Sequence, residues 1–382
     1  MPLPRLYRHA WMDDDVVAFR DQVRRYVEGE IAPHMEAWRR AGQVPRETWR
    51  KFGAMGFLLP EMPEEYGGSG VSAAWQLVVQ DELTRAEVPP GTGVHSLAAH
   101  YILDYGNAEQ KRRWLPKMVS GEHFGAIGMT EPGGGSDLKA LRTRARRDGD
   151  HYVIDGAKTF ITNGATCSLL VLACRTGGEG AKGVSLIVLE TDNLPGFSVG
   201  RRLEKLGMHA SDTCELSFDG VRVPVANLLG ETEGNGFAQM MSQLPYERLF
   251  IGVPAAAVIE RALEVTLEYT RERTAFGQPL AEFQNTRFKL AEVATIAHVV
   301  RGFVNDAIQR FVDGTLDAEA AYMVKWWCTE QQCKVVDECL QLFGGYGYMT
   351  EYPIARMYAD SRAQRIYGGS NEVMKDLIAR KL

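Results

Sequence analysis

The stretch from residue 151 to residue 224 decides the fold. It consists of short apolar and β-branched runs, namely HYVIDG (151–156), KTFITNG (158–164), SLLVLACR (168–175), VSLIVLE (184–190) and CELSFDGVRVP (214–224). Gly, Asn, Asp and Pro separate these runs, as is typical of strands joined by turns. The connections leave no room for crossover helices. The pattern therefore predicts an antiparallel sandwich or barrel and not a dinucleotide-binding βαβ domain.

Helical patterns lie on both sides of this stretch. Before it, Val16, Phe19 and Val23 begin a series of apolar residues spaced by three or four. After it, long helical patterns cover roughly 237–271, 282–312 and 317–343, lengths that suit a helix bundle. We therefore predict an α+β protein with three domains: an N-terminal α-helical domain at 1–123, a middle antiparallel β domain at 124–234 and a C-terminal helical bundle domain at 235–382.

Composition excludes several classes of protein. The chain has 382 residues, 24% of them charged and 45% apolar, with a net charge of −6. These values fit an ordinary folded protein and argue against disorder or nucleic-acid binding. No uncharged apolar run approaches the 18 residues of a membrane span. The N-terminal residues MPLPRLYRHAWMDDD lack the apolar region of a secretion signal, so we expect a cytoplasmic protein.

The six cysteines do not form a recognisable framework. They lie at positions 167, 174, 214, 328, 333 and 339, without a CxxC pair or an accompanying histidine cluster. Zinc sites and disulfide scaffolds require closer and more regular spacing. We expect free thiols and no metal site.

Two segments of the β zone could contact a ligand. MTEPGGGSD (129–137) has three consecutive glycines, whose amides could approach an anion or a flat ring, although a plain flexible loop is equally consistent. In KTFITNG, Phe160 and Thr162 have the same parity and so share one face of a strand. An ordinary half-buried strand is the alternative there.

Three segments of the C-terminal zone are also candidates. RERTAFGQPLAEFQ (271–284) places three arginines at a helix end, and QLFGGYGYMTEYPIARMYAD (341–360) is rich in glycine and aromatic residues. IYGGSNEVMKDLIAR (366–380) places two glycines before a helix start that Ser370 or Asn371 could cap. Taken singly, these could be a charged helix terminus, a tight turn and a capped helix.

The segment LPYERLFIGV (244–253) sets Glu247 and Arg248 in an apolar helical pattern. One interpretation places Pro245 in the first turn of a helix, with Glu247 as an acid favoured by the helix dipole. A surface ion pair between Glu247 and Arg248 is another, and a catalytic role for Glu247 is a third.

Together, these segments resemble the acyl-CoA dehydrogenase family over essentially the whole chain. TEPGGGSD resembles the TEPGAGSD signature of that family, QLFGGYGYMTEYPIARMYAD resembles its second signature, and RTAFGQPL with the following FQ matches a third block. The resemblance implies the same order of α, β and α domains, FAD as cofactor and a homotetramer built as a dimer of dimers. It also implies α,β-dehydrogenation of acyl-CoA thioesters in fatty acid β-oxidation, with the long-chain members as the closest type.

The resemblance also implies which residues contact FAD. Those expected at the isoalloxazine are Ile127, Met129, Thr130, Gly135, Ser136, Phe160, Ile161 and Thr162. Those expected at the diphosphate or adenosine, partly in a neighbouring subunit, are Arg273, Phe276, Gln284, Gln341, Gly344, Gly345, Ser370 and Glu372. An arginine suits this role because its planar fork pairs with phosphate oxygens.

The position of the catalytic base departs from the commonest family pattern. Many members carry it in a Tyr-Glu-Gly-Thr motif, but this chain has Tyr367-Gly368-Gly369-Ser370, and a glycine cannot abstract a proton. LPYERL resembles the segment that carries the base in long-chain and isovaleryl members, which implies that Glu247 is the base.

The resemblance assigns roles around the substrate as well. Gly368 would keep a backbone N–H that stabilises the enolate-like oxygen together with a ribityl hydroxyl of FAD. The implied substrate contacts are Ser136, Tyr246, Arg248, Tyr367 and Gly369. Burial beneath the substrate should raise the pKa of Glu247 above its solution value of about 4.3.

The electron acceptor and the acyl group are less constrained. The resemblance implies electron-transferring flavoprotein as the partner. An acyl-CoA oxidase that uses oxygen is an alternative, although the chain lacks the extra C-terminal helical domain usual in oxidases. An inactive acyl-CoA- or flavin-binding relative is the other alternative. Long straight and branched acyl groups both suit a base on the helix.

Overall fold

The computed structural model describes residues 9–382. The first eight residues belong to the N-terminal stretch predicted to lack a secretion signal, and they lie outside this range. The chain runs through an α-helical zone, a β zone and a second α-helical zone, as predicted.

The N-terminal zone contains six α-helices. They are α1 (Asp14–Tyr26), α2 (Met35–Ala41), α3 (Arg46–Ala54), α4 (Ala74–Arg85), α5 (Gly91–Tyr105) and α6 (Ala108–Val119). Asp13 caps α1 by accepting a hydrogen bond from the Val16 amide at 2.8 Å. The apolar series that begins with Val16 is buried and continues through a π-helical turn, Val27–Ile31, into the same core.

The β zone is one curled sheet. Its strands are β1 (Gly125–Gly128), β2 (Arg144–Asp148), β3 (His151–Thr162), β4 (Leu169–Arg175), β5 (Val184–Glu190), β6 (Phe197–Arg202) and β7 (Thr213–Pro224). The strand order is β1-β4-β2-β3-β7-β6, with β5 paired to β4. Most pairs are antiparallel, as predicted, whereas β1 and β2 meet β4 in parallel. The runs HYVIDG and KTFITNG form the single strand β3.

The C-terminal zone is a bundle of long helices. They are α7 (Gly236–Glu272), α8 (Gln284–Val312), α9 (Ala318–Phe343), α10 (Pro353–Ser361) and α11 (Asn371–Ala379), and a short hairpin of β8 (Thr274–Ala275) and β9 (Gln278–Pro279) follows α7. The three long helices begin and end within two residues of the predicted bounds. Pro245 lies in the interior of α7, so its interpretation as a first-turn proline is wrong.

Helix α7 connects the three zones. It packs against α8, α9 and α10 in its own zone, against α4 and α5 in the N-terminal zone, and against β5. The buried apolar side chains form three clusters. One extends from the N-terminal helices onto β4 and β5, one joins the C-terminal bundle to α4 and α5, and one lies within the β zone. Among residues 9–382, no helix is both long and apolar enough to cross a membrane.

Candidate active site

A cavity of about 430 Å³ lies where the three zones meet. Its walls come from α4 and α5, from β1 and β3, from one face of α7, and from α10 with the turn that follows it. Nine of the residues predicted to form a site line it together: Ile127, Met129, Thr130, Phe160, Ile161, Thr162, Glu247, Tyr367 and Gly368. Residues more than two hundred positions apart in the sequence therefore meet in one place.

Glu247 faces this cavity from α7. Two prolines, Pro245 and Pro254, interrupt the hydrogen bonding of the helix on either side of it. Burial raises the pKa of the Glu247 carboxyl, and the nearby charges of Arg248 and Lys325 only partly oppose this effect. A carboxylate with a raised pKa at a cavity wall is typical of a general base.

The turn at Gly368 and Gly369 faces Glu247 across the cavity. Both glycines are left-handed, with φ of +63° and +85°, which explains why neither position carries a side chain. A Cβ placed on Gly368 would lie 3.9 Å from Glu247 Oε1 and only 2.2 Å from Ile251 Cδ1. Within residues 9–382, the Gly368 amide has no hydrogen-bond acceptor. A free backbone donor thus lies close to a carboxylate of raised pKa.

Besides Ser136, three residues predicted as substrate contacts do not line the cavity wall. Tyr246 is buried behind it, with its hydroxyl 3.2 Å from Ser96 Oγ. Arg248 is also buried, and its guanidinium lies over the Tyr322 ring at 5.4 Å. Gly369 is the third, and it packs against Met374.

A β-bulge directs Phe160 into the cavity. The register between β3 and β7 shifts between Lys158 and Ile161, and Phe160 adopts a φ of +58°. Its ring is 66% exposed, although the residues on either side are buried. Bulges commonly re-aim side chains beside functional sites, and a strained non-glycine residue is a pointer to function. Simple alternation along a strand does not predict this feature.

A buried ion pair that no sequence motif indicates anchors the glycine-rich segment. Lys158 Nζ donates to Glu131 Oε1 at 2.8 Å and to the Met129 carbonyl at 3.0 Å. Burial acts to raise the pKa of Glu131, but Lys158 and the Thr143 amide outweigh it and hold that pKa below its ordinary value. The sequence feature that points to this ion pair is Lys158, a lysine at an inward-facing position of an alternating strand.

The glycines that follow Glu131 remain open to a ligand. Cβ atoms placed on Gly133 and Gly134 would meet nothing within 4 Å, and one on Gly135 would meet only Thr130 Cγ2 at 3.5 Å. Gly135 and Ser136 are exposed and lie beside the cavity lining rather than in it.

The residues predicted to contact the nucleotide part of the cofactor lie outside the cavity. Phe276 and Gly277 form the tip of the β8–β9 hairpin, both at positive φ, and the Phe276 ring is 98% exposed. Arg273 lies at the base of this hairpin, 5.6 Å above the Tyr346 ring. The other exposed members of the set are Gln284, Gln341, Gly344, Gly345 and Glu372, and the remaining member, Ser370, caps α11.

The cavity fits a planar group that carries polar substituents. Gln332 and Gln364 line the cavity, and both are buried. Their Oε1 atoms have no hydrogen-bond partner among residues 9–382. Such buried acceptors require donors from a ligand or from water. Next to the exposed Phe160 ring and the open glycine segment, they suit a flavin with its hydroxyl-bearing chain. Among the described residues, no cluster of His, Cys, Asp or Glu could hold a metal ion.

Comparison with known proteins identifies the family. Models of the N-terminal, middle and C-terminal domains of acyl-CoA dehydrogenases match residues 13–122, 126–221 and 234–382. The chain is 43% identical to the long-chain specific acyl-CoA dehydrogenase of Sus scrofa mitochondria over 369 residues, which cover 95% of this chain and 85% of that protein. It belongs to the acyl-CoA dehydrogenase family. The members of this family are flavoproteins that dehydrogenate acyl-CoA thioesters.

Solved structures agree with this assignment. An acyl-CoA dehydrogenase from Geobacillus kaustophilus superposes with a TM-score of 0.95 at 44% identity, covering 98% of this chain and 99% of that one. A chain in a structure described as electron transferring flavoprotein of Acidaminococcus fermentans gives a TM-score of 0.92 at 34% identity, covering 98% and 99%. The acyl-CoA dehydrogenase fold predicted from the sequence is thereby confirmed.

Proposed function

We propose that this protein is an acyl-CoA dehydrogenase in which Glu247 is the catalytic base. The observation that carries the proposal is the approach of Glu247 Oε1 to the Gly368 turn. Position 368 is where many family members carry the base, and a side chain there would reach the same part of the cavity. The carboxylate on α7 can therefore replace the one missing from the turn.

The reaction follows from these groups. The Glu247 carboxylate removes the proton from the α-carbon of the thioester, and the Gly368 N–H donates to the thioester oxygen as negative charge develops there. One donor at such an oxygen is typically worth about 2.7–4 kcal/mol. FAD, held by Phe160 and Thr162 of β3 and by Met129 and Thr130, would supply an acceptor for the hydride that leaves the β-carbon, and the product would be the trans-2-enoyl-CoA.

Two groups of residues are proposed to bind FAD: one lines the cavity and the other lies at the β8–β9 hairpin. Phe160 and Thr162 in β3, with Met129 and Thr130 after β1, would hold the flavin ring. The exposed β8–β9 hairpin would reach a second chain, where Arg273 pairs with the diphosphate. The nucleotide contacts lie outside the cavity of their own chain, which is consistent with the homotetramer that the family resemblance implies.

We assign long acyl chains to the apolar arm of the cavity. From Glu247 to Val258, the cavity face of α7 rises about 16 Å, since a helix rises 1.5 Å per residue. A C–C bond of ~1.5 Å advances an extended zigzag chain by about 1.3 Å, so this length matches an acyl chain of roughly thirteen carbons. The apolar residues along this arm are Val88, Pro89, Pro90, Val94, Leu97, Phe250, Ile251, Pro254 and Val258. Branched acyl groups are the runner-up.

The proposed electron acceptor is electron-transferring flavoprotein, in the cytoplasm of a bacterium. The likeness to the Acidaminococcus fermentans chain and to the Geobacillus enzyme supports this assignment. Turnover with electron-transferring flavoprotein under anaerobic conditions, compared with turnover under oxygen alone, separates a dehydrogenase from an oxidase.

Anaerobic mixing with acyl-CoA thioesters of increasing length, followed by flavin bleaching, tests the proposal. Glu247→Gln should slow bleaching by at least about 10², because it removes the base while nearly preserving shape. Glu268→Gln, a change at an exposed position of the same helix, is the matched control and should leave the rate unchanged. Near-normal bleaching in Glu247→Gln would refute the assignment of the base.

A further inference from the structure

Lys325 is a buried cation that directly contacts the glycine turn of the site. It lies on α9 with no exposed surface, and its Nζ donates to the Gly369 carbonyl at 2.6 Å and to Asn371 Oδ1 at 2.9 Å. Gly369 follows Gly368, whose backbone N–H is the proposed donor to the substrate oxygen. The ammonium therefore holds the peptide next to the proposed oxyanion donor.

The charge of Lys325 has no carboxylate partner. The chain has a second lysine without exposed surface, Lys158, which pairs with Glu131 at 2.8 Å. Among residues 9–382, no carboxylate oxygen lies within 4.0 Å of Lys325 Nζ. Burying an unpaired ammonium is costly, and burial lowers the pKa of Lys325 to about 8. A neutral side chain would pack α9 against α11 without this penalty.

The hydrogen bond from Lys325 constrains a turn that needs support. Gly368 and Gly369 are both left-handed, and glycine has more backbone freedom to lose than any other residue. A fixed carbonyl at Gly369 removes one of the motions by which the Gly368 amide could turn away from the cavity. An error of about 1 Å in such a donor can slow a reaction by about 10².

The charge of Lys325 also acts on the base. The charged or ionisable groups that influence Glu247 are Arg248 on α7, Lys325 on α9 and Tyr101 on α5. Around Lys325 itself, Arg248 and Arg365 act against its charge, whereas Glu372 and Glu247 favour it. Lys325 and Arg248 are thus the two cations that oppose the effect of burial on Glu247.

We propose that Lys325 is a positioning residue for this reaction. It fixes the Gly368–Gly369 turn through the Gly369 carbonyl, and its unpaired charge favours the carboxylate form of Glu247. This inference rests on the proposed function, because it gives Lys325 a part in the work of Glu247 and Gly368.

Two substitutions and one control test the role of Lys325 in the flavin-containing protein. Lys325→Met removes the donor and the charge, whereas Lys325→Gln keeps a donor and removes only the charge. Asn371→Ala is the control, because it removes the other partner of Lys325 and several bonds between α11 and α9 but leaves the Gly369 contact. Flavin reduction by a long-chain acyl-CoA and thermal unfolding are measured for each variant.

The second readout does not depend on turnover. The infrared band of the protonated Glu247 carboxyl, assigned by its loss in Glu247→Gln, is followed against pH in protein without acyl-CoA. Both Lys325 variants should shift this titration to higher pH, because a nearby positive charge is lost. The Asn371→Ala variant should titrate like the wild type but melt at lower temperature, because it loses several hydrogen bonds between α11 and α9.

We expect flavin reduction to slow by about 10² in Lys325→Met, less in Lys325→Gln, and less than about threefold in Asn371→Ala. An unchanged Glu247 titration in either Lys325 variant would overturn the proposal, as would a reduction rate equal to that of Asn371→Ala. If Lys325→Met does not fold, the flavin reduction rate and the Glu247 titration of Lys325→Gln test the proposal. If no acyl-CoA reduces the wild-type flavin, the proposed function fails, whereas the titration still reports whether Lys325 acts on Glu247.

Discussion

Moving the carboxylate from α7 to the glycine turn tests whether the two positions serve the same substrate carbon. The change is Glu247→Ala combined with Gly368→Glu. Because a Cβ on Gly368 would lie 3.9 Å from Glu247 Oε1, a glutamate there has the reach to replace the lost base. The same Cβ would lie 2.2 Å from Ile251 Cδ1, so we expect the double variant to be poorly active unless Ile251 is also shortened.

The free-energy cost of a side chain at position 368 follows from the left-handed backbone and from the contact with Ile251. A non-glycine residue in the left-handed region costs about 1–2 kcal/mol. Forcing a side chain against a packed neighbour costs about 1–3 kcal/mol more. Since every ~1.4 kcal/mol is tenfold in an equilibrium, the two costs together lower the population of the reactive geometry by roughly 30-fold to 4 × 10³-fold. Ile251→Ala removes the steric part, and the triple variant should therefore react at least about fivefold faster than the double variant.

Anaerobic stopped-flow reduction of the flavin by a straight-chain acyl-CoA measures this effect. The control is Glu247→Ala with Ile251→Ala, which lacks a carboxylate at both positions and should stay inactive. A triple variant no faster than this control would show that position 368 cannot serve the carbon that Glu247 serves. Equal rates in the double and triple variants would show that Ile251 is no obstacle.

Three further predictions concern the cofactor, pH and chain length. Arg273→Ala should lower the flavin content of the purified protein, and a monomer with full flavin content would contradict the assignment of Arg273 to a second chain. The rate of flavin reduction should fall as the pH drops through the pKa of Glu247. The midpoint should lie above the ordinary pKa of glutamate, because burial raises the pKa of Glu247. A midpoint at or below the ordinary value in a stopped-flow pH series would contradict this expectation. Gly93→Leu should shift the preference to shorter acyl chains, because a Cβ at position 93 would already lie 3.1 Å from Gln80 Oε1 and 3.2 Å from Phe250 Cδ1. An unchanged dependence of the rate on acyl-CoA length would show that the acyl chain does not pass Gly93.

The long elements were predictable from the sequence because their patterns are local. The bounds of α7, α8 and α9 follow from apolar periodicity and from the breakers between the helices. Strand β6 was missed because five of its six residues are exposed, and β2 was missed because RARRD has only one buried residue. The parallel pairing of β1 with β4 could not be predicted, since strand pairing depends on contacts between distant segments.

The candidate site divides in the same way. Glu247 and the Gly368 turn were found because each lies in a motif, and the cavity brings both together. The pairing of Glu131 with Lys158 and the unpartnered Oε1 atoms of Gln332 and Gln364 were not found, because both depend on residues that are distant in the sequence. Lys325 left a weak signal: a lysine in the apolar stripe of a helix is unusual, but the sequence does not reveal what it contacts.

The exposed aromatic tip of the β8–β9 hairpin has a consequence for the life of the protein in a cell. The almost fully exposed Phe276 ring is buried only if another molecule covers it, and ligands that bind only the folded protein shift it away from degradation. If flavin and a second chain cover this tip, the amount of protein that survives will follow the supply of riboflavin. A shortage of the vitamin would then appear first as missing protein and only afterwards as a slower reaction.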